Sequence, residues 1–189
     1  MIRTIPGARH IIPIMKPLLI EPEVFRDDRG FFTEAFNRRE FESLIGETVR
    51  FVQDNQSRSR RGVLRGLHYQ LPPSSQGKLI RVVRGAVYDV AVDLRRSSPT
   101  FADWVGYELS EENFKQLWIP PGFAHGFLAL TDVADVLYKT TDYYAPDLDR
   151  SVRWDDPDIG IEWPLNGSTP VVSPKDQGAP TLSDAETFD

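Results

Sequence analysis

Glycine and proline recur along the whole chain, and the segments between them are short and rich in Val, Ile, Leu, Phe and Tyr. These segments are Phe31–Phe36, Gly62–Gln70, Leu79–Leu94, Trp104–Leu109, Gln116–Ile119, Gly126–Leu130 and Ala134–Tyr144. Several alternate, as in Val87-Tyr88-Asp89-Val90-Ala91-Val92-Asp93. Short strands at near-regular spacing with turn residues between them predict an all-β sandwich or barrel, and we expect a jelly roll, which closes its sheet edges by folding two sheets together. One helix is predicted at Arg38–Ile45: Phe41, Leu44 and Ile45 fall at helical spacing, and Asn37 can cap it. A length of 189 residues suits a single domain, 1–189, with a core over about 18–165. The Pro-, Ser- and Asp-rich tail after Trp163 is expected to wrap the surface.

Composition narrows the function classes. The chain has no cysteine, which excludes disulfides, thiolate nucleophiles and Cys-based metal sites. No apolar run approaches membrane-spanning length. Pro6, Pro13 and Pro17 break up the N-terminal apolar stretch and no small-residue cleavage site follows, so the segment reads as mature protein. A cytoplasmic location is the expectation. A formal net charge of −6 argues against nucleic-acid binding, yet the local clusters RSRRGVLRG and KLIRVVRG can hold a small anionic ligand.

Of the three histidines, His10, His68 and His125, two sit in informative contexts. His68 lies between apolar neighbours in Arg65-Gly66-Leu67-His68-Tyr69-Gln70, and His125 lies in the Pro/Gly-stiffened segment Pro120–Phe127. A lone strand histidine is more often a hydrogen-bonded core residue, but Arg65, Lys78 and Arg81 are close in sequence, and core strands rarely carry so many cations. There is no H-x-H pair, and His68 and His125 alone make a thin shell for a transition metal, so we expect no metal. The segment Leu137–Tyr144 holds half of the six tyrosines. As one strand it would put Tyr138 and Tyr144 on one face and Tyr143 on the other. Strict alternation would also separate Arg65 from His68; both can line one pocket only if the strand bulges, and Gly66 is the place for that.

Read together, the motifs resemble a known family. The run Asp28-Arg29-Gly30-Phe31-Phe32-Thr33-Glu34 is similar to its D-x-R-G-F-F-x-E opening. Phe51–Ser57, Gly62–Gln70, Gln76–Val82, Asp89–Arg95, Ser98–Phe101, Pro121–Phe127, Tyr138-Lys139, Trp154–Pro157 and Ser173–Asp176 follow in order. The match runs from about Phe25 to Asp176, and the family is that of dTDP-4-dehydrorhamnose 3,5-epimerase. The resemblance implies a cupin-like jelly roll (a double-stranded β-helix sandwich) with a few short helices, a homodimer, and no metal or other cofactor. The implied substrate is dTDP-4-dehydro-6-deoxy-D-glucose, a dTDP-4-keto-6-deoxy sugar nucleotide epimerised at C3 and C5 to dTDP-4-dehydro-L-rhamnose. Carried over by position, His68 is the proton acceptor, Asp176 its partner carboxylate, Tyr138 the proton donor, and Lys78 the residue near the sugar ketone. Arg29, Glu34, Gln53, Asn55, Arg65, His125, Asp149 and Lys175 match substrate-contacting positions, and Tyr144 matches the aromatic that packs on thymine.

The residue types suit that chemistry. Carbons 3 and 5 flank the C4 ketone, so their protons are acidic through an enolate. Inversion then needs a base on one face of the ring and an acid on the other. A lysine near the ketone oxygen would stabilise the developing charge, and no Gly-rich dinucleotide fingerprint is present. The chain departs from the family pattern at Asp149 (commonly Glu), Ser151-Val152 (Gly-Ile) and Ala102 (Gly). Shared motifs do not separate the double epimerase from a mono-epimerase on a related dTDP-4-keto sugar. A non-catalytic sugar-nucleotide-binding cupin is countered by the presence of His68, Tyr138 and Asp176, and a metal-dependent cupin oxygenase by the missing histidine ligands.

Overall fold

The computed structural model describes residues 16–189. The segment containing Pro6 and Pro13, and with it the reading of a mature N-terminus, lies outside the described residues.

Strands are numbered in chain order. One sheet has the order β1 (Leu18–Ile20), β9 (Gln116–Ile119), β6 (Lys78–Arg84), β11 (Val133–Thr140) and β4 (Gln53–Arg60). The other has the order β12 (Asp149–Ser151), β5 (Leu64–Gln70), β10 (Phe123–Ala129), β7 (Ala86–Asp93) and β8 (Trp104–Ser110). A separate hairpin joins β2 (Val24–Asp27) to β3 (Gly30–Thr33). Every strand pairing is antiparallel. The jelly-roll expectation holds: Ile80, Leu117 and Val136 of the first sheet pack against Val87, Ala91 and Phe127 of the second in one buried layer.

Two further layers cover the outer faces. The helix α1 (Arg38–Ile45) forms where its spacing predicts, with the Asn37 side chain accepting the N–H groups of Arg39 and Glu40 and Gly46 ending it in the left-handed region. It lays Phe41 and Ile45 against Leu79 and Trp118 of the first sheet. The outer face of the second sheet is closed by the C-terminal segment. Leu67 and Tyr69 of β5 and Leu71 just beyond it alternate outward and pack with Leu182, Ala185 and Phe188. A buried apolar side chain of this size contributes about 1.5–3 kcal/mol. Backbone pairing adds to this, since Phe188 N–H donates to Leu94 O at 3.1 Å and Arg96 N–H donates to Phe188 O at 2.9 Å.

The sequence reading did not include β1, β2 or β12, and three further strand assignments differ from it. Leu79–Leu94 is two strands turning at Gly85, whose φ of 71° favours glycine. Gln53–Arg60 is a strand without an apolar face, because its inward residues line a cavity and its outward residues meet solvent. Strand β11 stops at Thr140, so Tyr143 and Tyr144 lie in the loop beyond it, and the shared-strand relation of Tyr138 and Tyr144 is corrected. Among the described residues no helix is long and apolar enough to cross a membrane.

Candidate active site

Residues of both sheets line a cavity of about 410 Å³. Its second-sheet wall is built by β5 and β10. Along their register, His125 sits opposite His68 and Phe127 opposite Arg65, so two steps on β10 span three on β5. The extra residue is a bulge at Gly66–Leu67, and it restores Arg65 to the face that His68 occupies. Only glycine fits at position 66: φ is +130°, and an added Cβ would stand 2.6 Å from the Gly126 Cα. The bulge predicted at Gly66 is present, and both side chains line the cavity.

His68 is held by Asp176. Its Nε2–H donates to Asp176 Oδ1 at 2.6 Å, and the Gly66 N–H donates to Asp176 Oδ2 at 3.4 Å. Asp176 lies on the short helix α2 (Pro174–Gln177), whose cap residue Ser173 accepts the Asp176 N–H. Burial pushes the Asp176 carboxyl up, but the hydrogen bond and charge of His68, with Gly66 and Ser173, outweigh it and leave the carboxyl below its usual range. Ionised Asp176 therefore fixes one ring nitrogen as the donor and leaves the other free to accept a proton.

The opposite wall belongs to the first sheet. Tyr138 projects from β11 and Lys78 from the start of β6. Burial raises the Tyr138 pKa, with Arg65 opposing, so the phenol stays protonated. Lys78 is 8% exposed, and its Nζ donates to the His68 carbonyl at 3.1 Å. Burial pushes its pKa down to about 8, against the opposing pull of Asp149 and Asp89. Such an ammonium is poorly hydrated and available to a developing oxyanion.

Polar residues complete the lining. Gln53, Asn55 and Ser57 project from β4; Gln53 Nε2 donates to Asn55 Oδ1 at 2.9 Å, and Gln53 Oε1 accepts the Tyr144 N–H at 3.1 Å. Arg65 Nε donates to Ser59 Oγ at 3.0 Å, which holds the guanidinium at the rim. Tyr144, Asp149 and Lys175 close the mouth. Arg29 and Glu34 are not brought here within one chain. Arg29 pairs with Asp27 on the exposed β2–β3 hairpin, and Glu34 lines a groove beside α1.

Sequence reasoning gave no role to Asp89, which is fully buried on β7 and whose Oδ2 accepts from His125 Nε2 at 3.0 Å. Its trace in the sequence is an acid sharing strand parity with Val87 and Ala91, which both face the core. Among the described residues no three His, Cys, Asp or Glu side chains are grouped so as to hold a metal ion.

The model of the dTDP-4-dehydrorhamnose 3,5-epimerase family matches residues 12–184. A protein of that description from Pseudomonas aeruginosa is 57% identical over 171 residues, 90% of this chain and 93% of the relative. The crystal structure of dTDP-6-deoxy-D-glucose-3,5-epimerase from Legionella pneumophila, in complex with dTDP-4-keto-L-rhamnose, has a TM-score of 0.85 at 54% identity and covers 88% of each chain. A 3'-monoepimerase from Streptomyces bikiniensis in complex with dTDP-quinovose has a TM-score of 0.84 at 38% identity, over 93% of this chain and 88% of that one.

Proposed function

The chain belongs to the dTDP-4-dehydrorhamnose 3,5-epimerase family, and from that footing we propose that it inverts C3 and C5 of dTDP-4-dehydro-6-deoxy-D-glucose to give dTDP-4-dehydro-L-rhamnose. One observation carries this reading: a histidine–carboxylate pair on one sheet and a protonated tyrosine on the other face a single cavity, with a buried lysine beside them. A flat ring between the two walls meets a base on one side and an acid on the other.

In this mechanism the free nitrogen of His68 takes the proton from the carbon next to the ketone, and Asp176 stabilises the imidazolium. The electron pair moves into the enolate, whose oxygen is met by the Lys78 ammonium. Tyr138 returns a proton from the opposite wall and inverts the carbon. The second carbon repeats the cycle after proton exchange with solvent. Arg65 and Lys175 hold the diphosphate, and Tyr144 packs on the thymine. Proton NMR of the turnover in heavy water tests the reading: two ring carbons should exchange and both should invert. Exchange and inversion at one carbon alone would make the enzyme a mono-epimerase.

A homodimer is part of the same reading. Phe25, Phe31 and Phe32 are more than half exposed on the β2–β3 hairpin, an expensive arrangement unless a second copy covers them. That copy would carry Arg29 and Glu34 towards its neighbour's cavity. Light scattering should give a dimer mass at micromolar concentration, and a monomer mass would remove this part.

A further inference from the structure

One carboxylate at the cavity mouth is bonded to two of the groups assigned to the ligand. Asp149 Oδ2 forms an ion pair with Lys175 Nζ and accepts the Tyr144 hydroxyl at 3.3 Å. The three come from separate elements: Asp149 opens β12, Tyr144 sits in the loop after β11, and Lys175 rides on α2 beside Asp176. The Asp149 side chain is only 16% exposed, whereas that of Lys175 is 51% exposed. The Asp149 backbone cannot drift, because it pairs with Gln70 in the sheet.

We infer that Asp149 is an internal counter-anion, holding Lys175 and Tyr144 together until the diphosphate of a nucleoside diphosphate displaces it from the lysine. The inference rests on the proposed sugar-nucleotide site and adds what that site does before ligand arrives. Two electrostatic facts support it. A lysine ammonium paired with a carboxylate must give up that pair, or share it, to bind phosphoryl oxygens. A carboxylate left in the same cavity repels the incoming anion. Asp149 thus costs diphosphate affinity while keeping Lys175 and Tyr144 in place, and it hastens departure of the product.

Asparagine at this position keeps the shape and an acceptor oxygen for both partners but removes the charge. Calorimetric titration of Asp149→Asn should therefore show dTDP bound about two- to fivefold more tightly than by the wild type, the scale of one partly exposed ion pair. Thymidine, which has no phosphate, should bind both proteins alike. Asp149→Glu keeps the charge and should not gain affinity. Asp149→Gln, neutral and with an amide oxygen for both partners, repeats the test should the asparagine variant fold poorly. Equal or weaker dTDP binding by the neutral variants, with normal binding by the wild type, overturns the inference. A wild type that binds no dTDP would instead overturn the functional reading beneath it.

Discussion

His68 and His125 lie directly opposite each other on β5 and β10, and each donates a ring N–H to its own buried carboxylate, Asp176 and Asp89. The two pairs differ in where they stand. The His68 side chain is 32% exposed and opens to the cavity, while His125 and Asp89 are 9% and 0% exposed. The first pair is placed to exchange a proton and the second to hold a ring still.

Removal of the base and removal of the acid should look different. His68→Asn is expected to abolish solvent exchange and epimerisation together, by about 10²–10⁴-fold. Tyr138→Phe leaves His68 able to form the enolate, so deuterium exchange should persist while inversion falls steeply. Heavy-water NMR on both variants separates these outcomes. Near-normal product from Tyr138→Phe would remove that hydroxyl from the mechanism and turn attention to Tyr144.

Lys78 predicts an alkaline limb. With its pKa pushed down to about 8 by burial, the ammonium is lost as pH rises through that value, and turnover should fall with it. Stability should move the opposite way. An unfolded lysine keeps its proton to a pKa of about 10.4, so the cost of burying the charge is present in full below pH 8 and is relieved between pH 8 and 10.4. A shift of that size corresponds to about 3 kcal/mol. Lys78→Met should melt higher than the wild type at pH 7 and turn over far more slowly. A variant that melts lower, or a flat rate up to pH 10, contradicts this account.

Asp89 should act on stability first. Asp89→Ala strands the buried ring nitrogen of His125 and is expected to cost about 1–3 kcal/mol, seen as a lower thermal midpoint. Substrate binding should weaken with it, because the imidazole loses its orientation. An unchanged midpoint would show that the pair is dispensable.

Gly66→Ala should damage both the fold and the site. It must push β5 away from Gly126 and adopt φ of +130°, which an alanine reaches only under strain. A loss of about 1–3 kcal/mol is expected. Activity should drop further than stability explains, because Arg65 and His68 share the wall only through that bulge. Wild-type kinetics in Gly66→Ala would place the bulge outside the working parts of the site.

The physics of periodicity explains what was legible. Helix α1 was readable to the residue because a capping Asn and an apolar triplet at helical spacing act locally. The strands bordering the core were readable from Val, Ile and Leu. Strand β4 was not, because cavity-lining Gln53, Asn55 and Ser57 give it the look of a loop. Most of the cavity-lining residues came from ordered motifs, and the bulge from the conflict between strand parity and the need for Arg65 and His68 together. Asp89 was missed because one acid in an apolar strand does not reveal its partner. Arg29 and Glu34 carried motif information, but nothing in a linear pattern says on which copy of the chain they work.

Asp176 follows every strand of both sheets in the chain and is 108 positions beyond the histidine it holds. The contact that orients the histidine therefore closes a loop spanning most of the chain, and the packing of both sheets is what brings its two ends together. Lys175 and Asp176 stand side by side on α2, so slack in the segment between β12 and α2 would reach both at once. One loosening would then release the lysine from the proposed diphosphate site and leave the imidazole unoriented.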